Sequence, residues 1–358
     1  MIGVTPTIAD IAHAAYVSPS TVSNLLNGRV NRMRPETRER ITRAMEKLDY
    51  RPSRVARQLR TGNASIVGLV VPSVANPFWG SWAGVVEAEA LQHGYQLFLC
   101  NSERDPARER EYIEELWSRG LRSVILATSL ADLGHLRPVI DKGLQLIAFD
   151  RESQTDDPNG VINVSVDNEL GGYLAAKHCI DLGHRDIGFI SGVIATISRR
   201  SRFAGYQRAL EEAGIPFRPE LVWADAADGY GDVDSTKLGT RGALTLLGLD
   251  KPPSALVTVN DMYAIGACVA IRALGYNVPD ISVVGFDDIV LAPLYNPPLT
   301  TMRQPVQKMA EFAVRAIVDH ANGDDPQTRQ ILMAPELVVR DSTAPPKSWK
   351  RRNDHVSS

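Results

Sequence analysis

Two sets of side chains in this 358-residue sequence have types and spacings that could do chemistry. The first is Ser18-Pro19-Ser20-Thr21, followed a turn later by Ser23, Asn24 and Asn27. Small hydroxyl and amide groups at a helix start can hydrogen-bond base edges or phosphates. The second set falls at or just beyond strand-like runs: Phe78 and Trp79, Asp150 and Arg151, Asn260 and Asp261, and Asp287. Open α/β sheets bind ligands at the carboxyl ends of their strands. Carboxylates, amides and aromatic faces there suit a small polar ligand. The adjacent pair Asp287-Asp288 has no metal partner or neighbouring base in sequence, so it reads as a polar ligand contact before it reads as catalysis.

Enzymatic motifs are missing from the sequence. No GxGxxG follows a strand-like run, and GxxxxGK[ST], HExxH and GxSxG are all absent. The seven histidines are scattered and none pairs at metal-ligand spacing; Cys100, Cys179 and Cys268 are far apart and each sits in an apolar stretch. They are expected to be buried free thiols, with no disulfide, no metal and no cofactor.

The elements that would position the first set lie in the first sixty residues, which read as helices alone. Thr7 and Asp10 have capping-box spacing, and Ile8, Ile11, Ala12 and Ala15 form an apolar stripe. A turn at Ala15-Tyr16-Val17 leads to Ser18, a good N-cap, and Pro19, favoured at the first helical position. A third helix opens at Pro35 and places Ile41, Ala44, Met45 and Leu48 on one face. This is a helix-turn-helix with a supporting helix. From Ser65 onward β-rich runs alternate with helical stretches. The runs are Ile66–Val71, Tyr95–Cys100, Ser123–Ala127, Gln145–Phe149, Ile162–Val166, Ile187–Ser191, Ala255–Val259 and Ser282–Phe286. Such alternation predicts an α/β core of parallel sheets with helices on both faces, and the strand number suits two sheets better than one.

Charge separates the two regions. Residues 1–62 hold 11 Lys and Arg against 5 Asp and Glu, a balance of +6, whereas the remainder holds 28 against 37, or −9. A basic head on an acidic body is the pattern of a protein whose head alone meets a polyanion. A three-helix protein-interaction module is the alternative, and the basic excess favours DNA. Hydrophobic residues at 44% and charged residues at 23% exclude a disordered chain. Met1 to Val17 contains Asp10 and His13 and no continuous apolar segment, and no run approaches the roughly 20 residues of a membrane span. A cytoplasmic protein without membrane contact is expected.

The ordered motifs resemble the lactose/galactose repressor family. They include Thr7-Ile8-Ala9-Asp10-Ile11-Ala12, Thr21-Val22-Ser23, Leu26-Asn27-Gly28 and Tyr50-Arg51-Pro52 through Leu59. The series continues through Asn76-Pro77-Phe78, Phe149-Asp150-Arg151, Gly183-His184-Arg185, Asn260-Asp261, Gly285-Phe286-Asp287-Asp288 and Glu336 to Arg340. The resemblance spans about residues 5–343 and implies two doubly wound parallel-sheet lobes, like type I periplasmic sugar-binding proteins, behind an all-α helix-turn-helix head. The implied domains are a head at 1–50, a hinge helix at 51–63, a core at 64–343 and a disordered tail at 344–358. Within the core, lobe one is placed at about 64–164 and 292–325, and lobe two at about 165–291 and 326–343.

The function so implied is a DNA-binding transcription regulator, usually a repressor. Its operator affinity would be set by a small effector, a sugar or sugar derivative, held between the lobes of a homodimer. A transport-type sugar-binding protein is the runner-up, and an α/β oxidoreductase the second rival. By the resemblance, Pro19, Ser20 and Asn24 read bases, while Thr7, Ser18, Thr21, Ser23 and Asn27 contact the DNA backbone. Val55, Ala56, Arg57 and Leu59 belong to the hinge, with Leu59 a minor-groove wedge. Ser198 and Arg202 join the strand-end residues as effector contacts, and Arg202 and Asp287 are the pair shared by sugar and purine responders. Two departures stand out: Tyr16 occupies a turn position that is often Gly or Asn, and the segment 31–36 is about one residue longer and lacks the usual Ser cap.

Overall fold

The computed structural model describes residues 6–26, 33–48, 50, 66–225, 234–324 and 328–347. Asn27, the hinge residues Val55, Ala56, Arg57 and Leu59, and the tail beyond residue 347 lie outside this set. The chain divides into two compact units, Met1–Ala64 and Ser65–Ser358.

The first unit contains α1 (Ile8–Ala14), α2 (Pro19–Leu26) and α3 (Pro35–Lys47). The Thr7 and Asp10 capping box forms in both directions. Ile11, Ala12, Ala15, Val22, Ile41 and Ala44 close a small core, so the apolar stripes face one another as expected. Tyr16 turns the chain with φ 53°. Arg34 precedes α3 without a side-chain cap, and Pro35 supplies the start instead.

The second unit has two six-stranded sheets, ordered β2-β1-β3-β4-β5-β11 and β7-β6-β8-β9-β10-β12. The first is built from β1 (Ile66–Val71), β2 (Gln96–Asn101), β3 (Ser123–Ala127), β4 (Gln145–Phe149), β5 (Ile162–Val166) and β11 (Gln330–Met333). The second is built from β6 (Ile187–Ser191), β7 (Val222–Ala224), β8 (Ala255–Thr258), β9 (Ser282–Asp287), β10 (Thr300–Arg303) and β12 (Glu336–Val338). Every pairing is parallel except β10 with β12. Strands β3, β4, β5, β6, β8 and β9 are buried along their whole length, which is why their sequences are nearly continuous apolar runs.

The helices, in chain order, are α4 (Pro77–Gln92), α5 (Pro106–Ser118), the short α6 (Arg137–Ile140), α7 (Asn168–Asp181), α8 (Ile197–Glu212), α9 (Ser235–Leu247), α10 (Asp261–Ala273) and α11 (Val306–Asn322). Those that follow central strands begin at capped starts, with Asn76, Asp167, Thr196 and Asn260 each accepting a backbone N–H of the first turn.

The lobe boundaries differ from those expected. β10, placed in lobe one by the resemblance, pairs with β9 and β12 in the second sheet. β11, placed in lobe two, pairs with β5 in the first. The chain therefore crosses between lobes after β5, after β10 and after β11. The tail is also ordered further than expected: Ala344 O accepts from His184 and Ser282, and Lys347 Nζ lies 2.6 Å from Asp280.

Candidate functional site

In the head, α2 begins with a hydroxyl cluster. Ser18 Oγ lies 2.7 Å from Ser20 Oγ and 2.8 Å from Thr21 Oγ1, and it also accepts the Thr21 N–H at 3.2 Å. Ser18 thus both caps the helix and organises its neighbours. Pro19, Ser20 and Asn24 are exposed, while Val22 is buried beneath them. Ser20 and Asn24, four residues apart, share one face of α2. Thr7 accepts the Asp10 N–H, and Asp10 takes the Thr7 N–H and hydroxyl, which holds the Asp10 carboxyl below its ordinary pKa.

In the core, a cleft forms where the carboxyl ends of strands from both sheets meet. It is bounded by Asn76, Phe78, Trp79 and Arg104, by Asp150, by Ser198, Arg199 and Arg202, and by Val259, Asn260, Asp287 and Gln304. About 350 Å³ of empty space lies within it, open mouth included. Trp79 packs edge-on against Phe78 at 4.9 Å and against Phe149 at 6.2 Å, giving the cleft a rigid aromatic wall.

Arg202 occupies the floor. Its Nε donates to Asn168 Oδ1 at 2.8 Å and its Nη1 to Val259 O at 2.7 Å, while its guanidinium lies 3.6 Å over the Phe286 ring. Asp150 and Asp287 approach it at 3.9 and 4.0 Å. Burial pushes the Arg202 pKa down, and the two carboxylates oppose that shift. Asp287 also accepts from Gln304 Nε2 at 2.8 Å.

A second chain of contacts joins the lobes. Arg104 Nη1 donates to Ser129 Oγ at 2.8 Å, Ser129 Oγ donates to Asp150 Oδ2 at 2.6 Å, and Ser198 Oγ donates to Ser129 Oγ at 2.9 Å. Asp150 Oδ1 and Gln304 Oε1 are buried without a hydrogen-bond partner. Arg104, Asp150 and Asp287 take left-handed backbone at φ 56°, 64° and 111°. Such strain at non-glycine residues gathers where a ligand is held.

Of the nine effector residues expected from sequence, Phe78, Trp79, Asp150, Ser198, Arg202, Asn260 and Asp287 line this cleft. Arg151 and Asp261 do not. Arg151 is fully buried and clamps Asp157 at 2.8 Å while donating to the Leu130 and Ala131 carbonyls and to Asn163, a loop-fixing role. Asp261 accepts from the Thr301 hydroxyl at 2.5 Å and the Ile289 N–H at 2.9 Å. Burial, reinforced by nearby Asp287, pushes its carboxyl well above the usual range. Sequence reasoning missed Asn76, Arg104, Arg199, Val259 and Gln304.

Residues 7–53 match the model of the bacterial regulatory proteins of the lacI family, and residues 176–343 match a periplasmic-binding-protein-like domain. The HTH-type transcriptional regulator DegA of Bacillus subtilis (strain 168) is 33% identical over 341 residues, covering 95% of this chain and 98% of its own.

This chain belongs to the lacI family.

The family is one of DNA-binding transcription regulators and not of enzymes. The HTH-type repressor PurR of Aliivibrio fischeri (strain ES114) is a further lacI-family relative, 33% identical over 343 residues, with 94% of this chain and 98% of the relative covered. Among solved lacI-type structures, a Lac repressor dimer bound to operator and an anti-inducer is similar at TM-score 0.82 and 26% identity, covering 95% of this chain and 100% of that one. A CelR–cellobiose complex is similar at TM-score 0.68 and 27% identity, covering 94% and 99%. Among the described residues, no helix is long and apolar enough to cross a membrane.

Proposed function

We propose that this regulator binds operator DNA as a cytoplasmic homodimer and releases or grips it according to a small sugar-like effector in the core cleft. The observation that carries the reading is the cleft itself. Buried carboxylates, amides and a guanidinium face an aromatic wall, and residues from both lobes meet there. A ligand that bonds both sides biases one relation of the lobes over another, which is the differential affinity allostery needs. The CelR complex with cellobiose and the operator-bound Lac repressor dimer support effector, DNA and dimer by similarity.

Pro19, Ser20 and Asn24 are the proposed base readers. Thr7, Ser18, Thr21, Ser23 and Asn27 are the proposed backbone contacts, and Val55, Ala56, Arg57 and Leu59 form the proposed DNA-binding hinge, with Leu59 the wedge. Phe78, Trp79, Asp150, Ser198, Arg202, Asn260 and Asp287 are the proposed effector contacts. Selection from random duplexes tests the DNA assignment: changing Ser20 and Asn24 is expected to shift the preferred sequence, at ~1–3 kcal/mol per lost base contact. Leu59→Ala is expected to lower the bend of the selected operator. Arg202→Ala and Asp287→Ala are expected to keep low-salt operator binding and lose the response to effector. Unchanged preference, or wild-type response in both cleft variants, counts against the respective site.

A further inference from the structure

A second cavity lies at the other end of the first sheet, where β4, β5 and β11 begin. The buried side chains Ile140, Leu144 and Ile162 form its floor, and the exposed Asn159, His320 and Arg329 stand at its mouth. About 570 Å³ of empty space lies within it, open mouth included. Gln145 opens β4 on this side, and Asp150 lies five residues on in the effector cleft, so roughly 16 Å of strand separates the two. They share no lining residue.

The walls are held by the fold. Gln145 is buried and fixed at both ends of its amide, Nε2 donating to Ala316 O at 2.8 Å and Oε1 accepting from Ser123 Oγ at 2.9 Å. The first bond pins α11 over the start of β4, and the last turn of that helix brings His320 to the cavity. Arg329 is set by its own carbonyl, which accepts the Asn163 N–H at 2.8 Å where β11 joins β5. Among the described residues, no Asp or Glu lines the space. Of the acids on the same segments, Asp157 is clamped by Arg151 at 2.8 Å and Asp319 lies 3.8 Å from Arg315. Asp141, Asp156 and Asp324 are exposed outside it, as is Lys142. An apolar floor beneath a guanidinium, an imidazole and an amide suits a small molecule with a negative group at one end and an apolar body at the other.

We propose that this cavity is a second small-molecule site, separate from the effector cleft. Its ligand is an organic anion whose carboxylate or phosphate meets Arg329 and His320 and whose apolar part rests on Ile140, Leu144 and Ile162. The two charged groups share this chemistry, and the test separates them. Calorimetric titration of the full-length protein would compare phenyl phosphate and benzoate with neutral benzyl alcohol, which carries the same ring.

At least one anion is expected to bind about fivefold or more tightly than benzyl alcohol, a ratio within reach of two exposed charged contacts. The arm that binds identifies phosphate or carboxylate. Arg329→Gln is expected to erase the preference and Arg329→Lys to keep part of it, whereas Arg202→Ala, in the effector cleft, is expected to leave it unchanged. Benzyl alcohol binding as tightly as both anions, or no binding by either anion, overturns the proposal, and neither outcome depends on a variant that folds. A preference that survives Arg329→Gln overturns it as well. So does one that Arg202→Ala removes, because the anion would then sit in the effector cleft.

Discussion

Tyr16 holds φ 53° with its ring 86% exposed, so the turn of the helix-turn-helix bears a side chain that gains little from packing. Left-handed backbone costs a residue with a Cβ ~1–2 kcal/mol, and Asn tolerates it better. Tyr16→Asn is therefore expected to stabilise the head by ~0.5–1 kcal/mol and to slow amide exchange in α1 and α2 several-fold. Unchanged exchange would mean the turn is not strained. The cleft shows which residues are readable from sequence and which are not. Only Asp150 of Asp150-Arg151 and Asn260 of Asn260-Asp261 enter the cleft, and the other member of each pair supports it. A sequence marks such a pair without saying which member turns inward. Arg199 and Arg200 pose the same problem on a helix, where ~100° of rotation buries the first and exposes the second. Arg104 stands among the charged residues 103–110, and nothing in its type separates it from its exposed neighbours.

Helices α7 and α8 approach so closely that glycine is required at their contact. A Cβ on Gly172 would stand 2.0 Å from Arg202 O, and one on Gly205 would stand 1.9 Å from Glu169 O. This contact places Arg202 against Asn168 at the start of α7. Gly172→Ala must push α8 outward and carry Arg202 with it, at ~1–3 kcal/mol or more for overpacking. The expected outcome is a lower denaturation midpoint for the core together with weakened effector response. A variant with wild-type response would show that α8 can shift without moving the floor. At this scale the eight expected strands all form, because buried runs bounded by turns are legible. The four unforeseen strands, β7, β10, β11 and β12, have only three or four residues each. β11 alternates exposed and half-buried positions, too short a pattern to register. Helix α11 carries a legible signal, since Val306, Met309, Ala310, Ala313, Val314 and Ile317 follow the helical apolar period.

Across the whole core, His184 ties distant parts of lobe two together. Its ring nitrogens lie 2.8 Å from Ser254 Oγ, 3.1 Å from Ser282 Oγ and 2.9 Å from Ala344 O. Burial holds its pKa below the ordinary 6.5, and burial does the same to His178. The unfolded chain takes up these protons near pH 6.5, before the folded chain does. Their contribution to stability is complete above that value and is lost as pH falls through the lower folded pKa. The core is therefore expected to melt at lower temperature as pH falls from about 7.5 to 5.5. His184→Asn is expected to flatten that dependence, and melting curves with the same pH slope in both proteins would exclude the histidine as its source.

The order in which the strands join has a consequence for how the protein is made. The head's core uses residues between 8 and 50, so it can close soon after synthesis begins. Neither sheet of the core is complete until its last strand arrives, and those strands, β11 and β12, are the final two of the chain. A message truncated between residues 304 and 330 would leave β5 and β10 as open edges, each a template for pairing with another chain. A single late lesion would then damage both halves of the sensor while sparing the DNA reader. The product would be a head able to occupy operators but deaf to any signal, which makes removal of incomplete chains by the cell part of how such a regulator stays switchable.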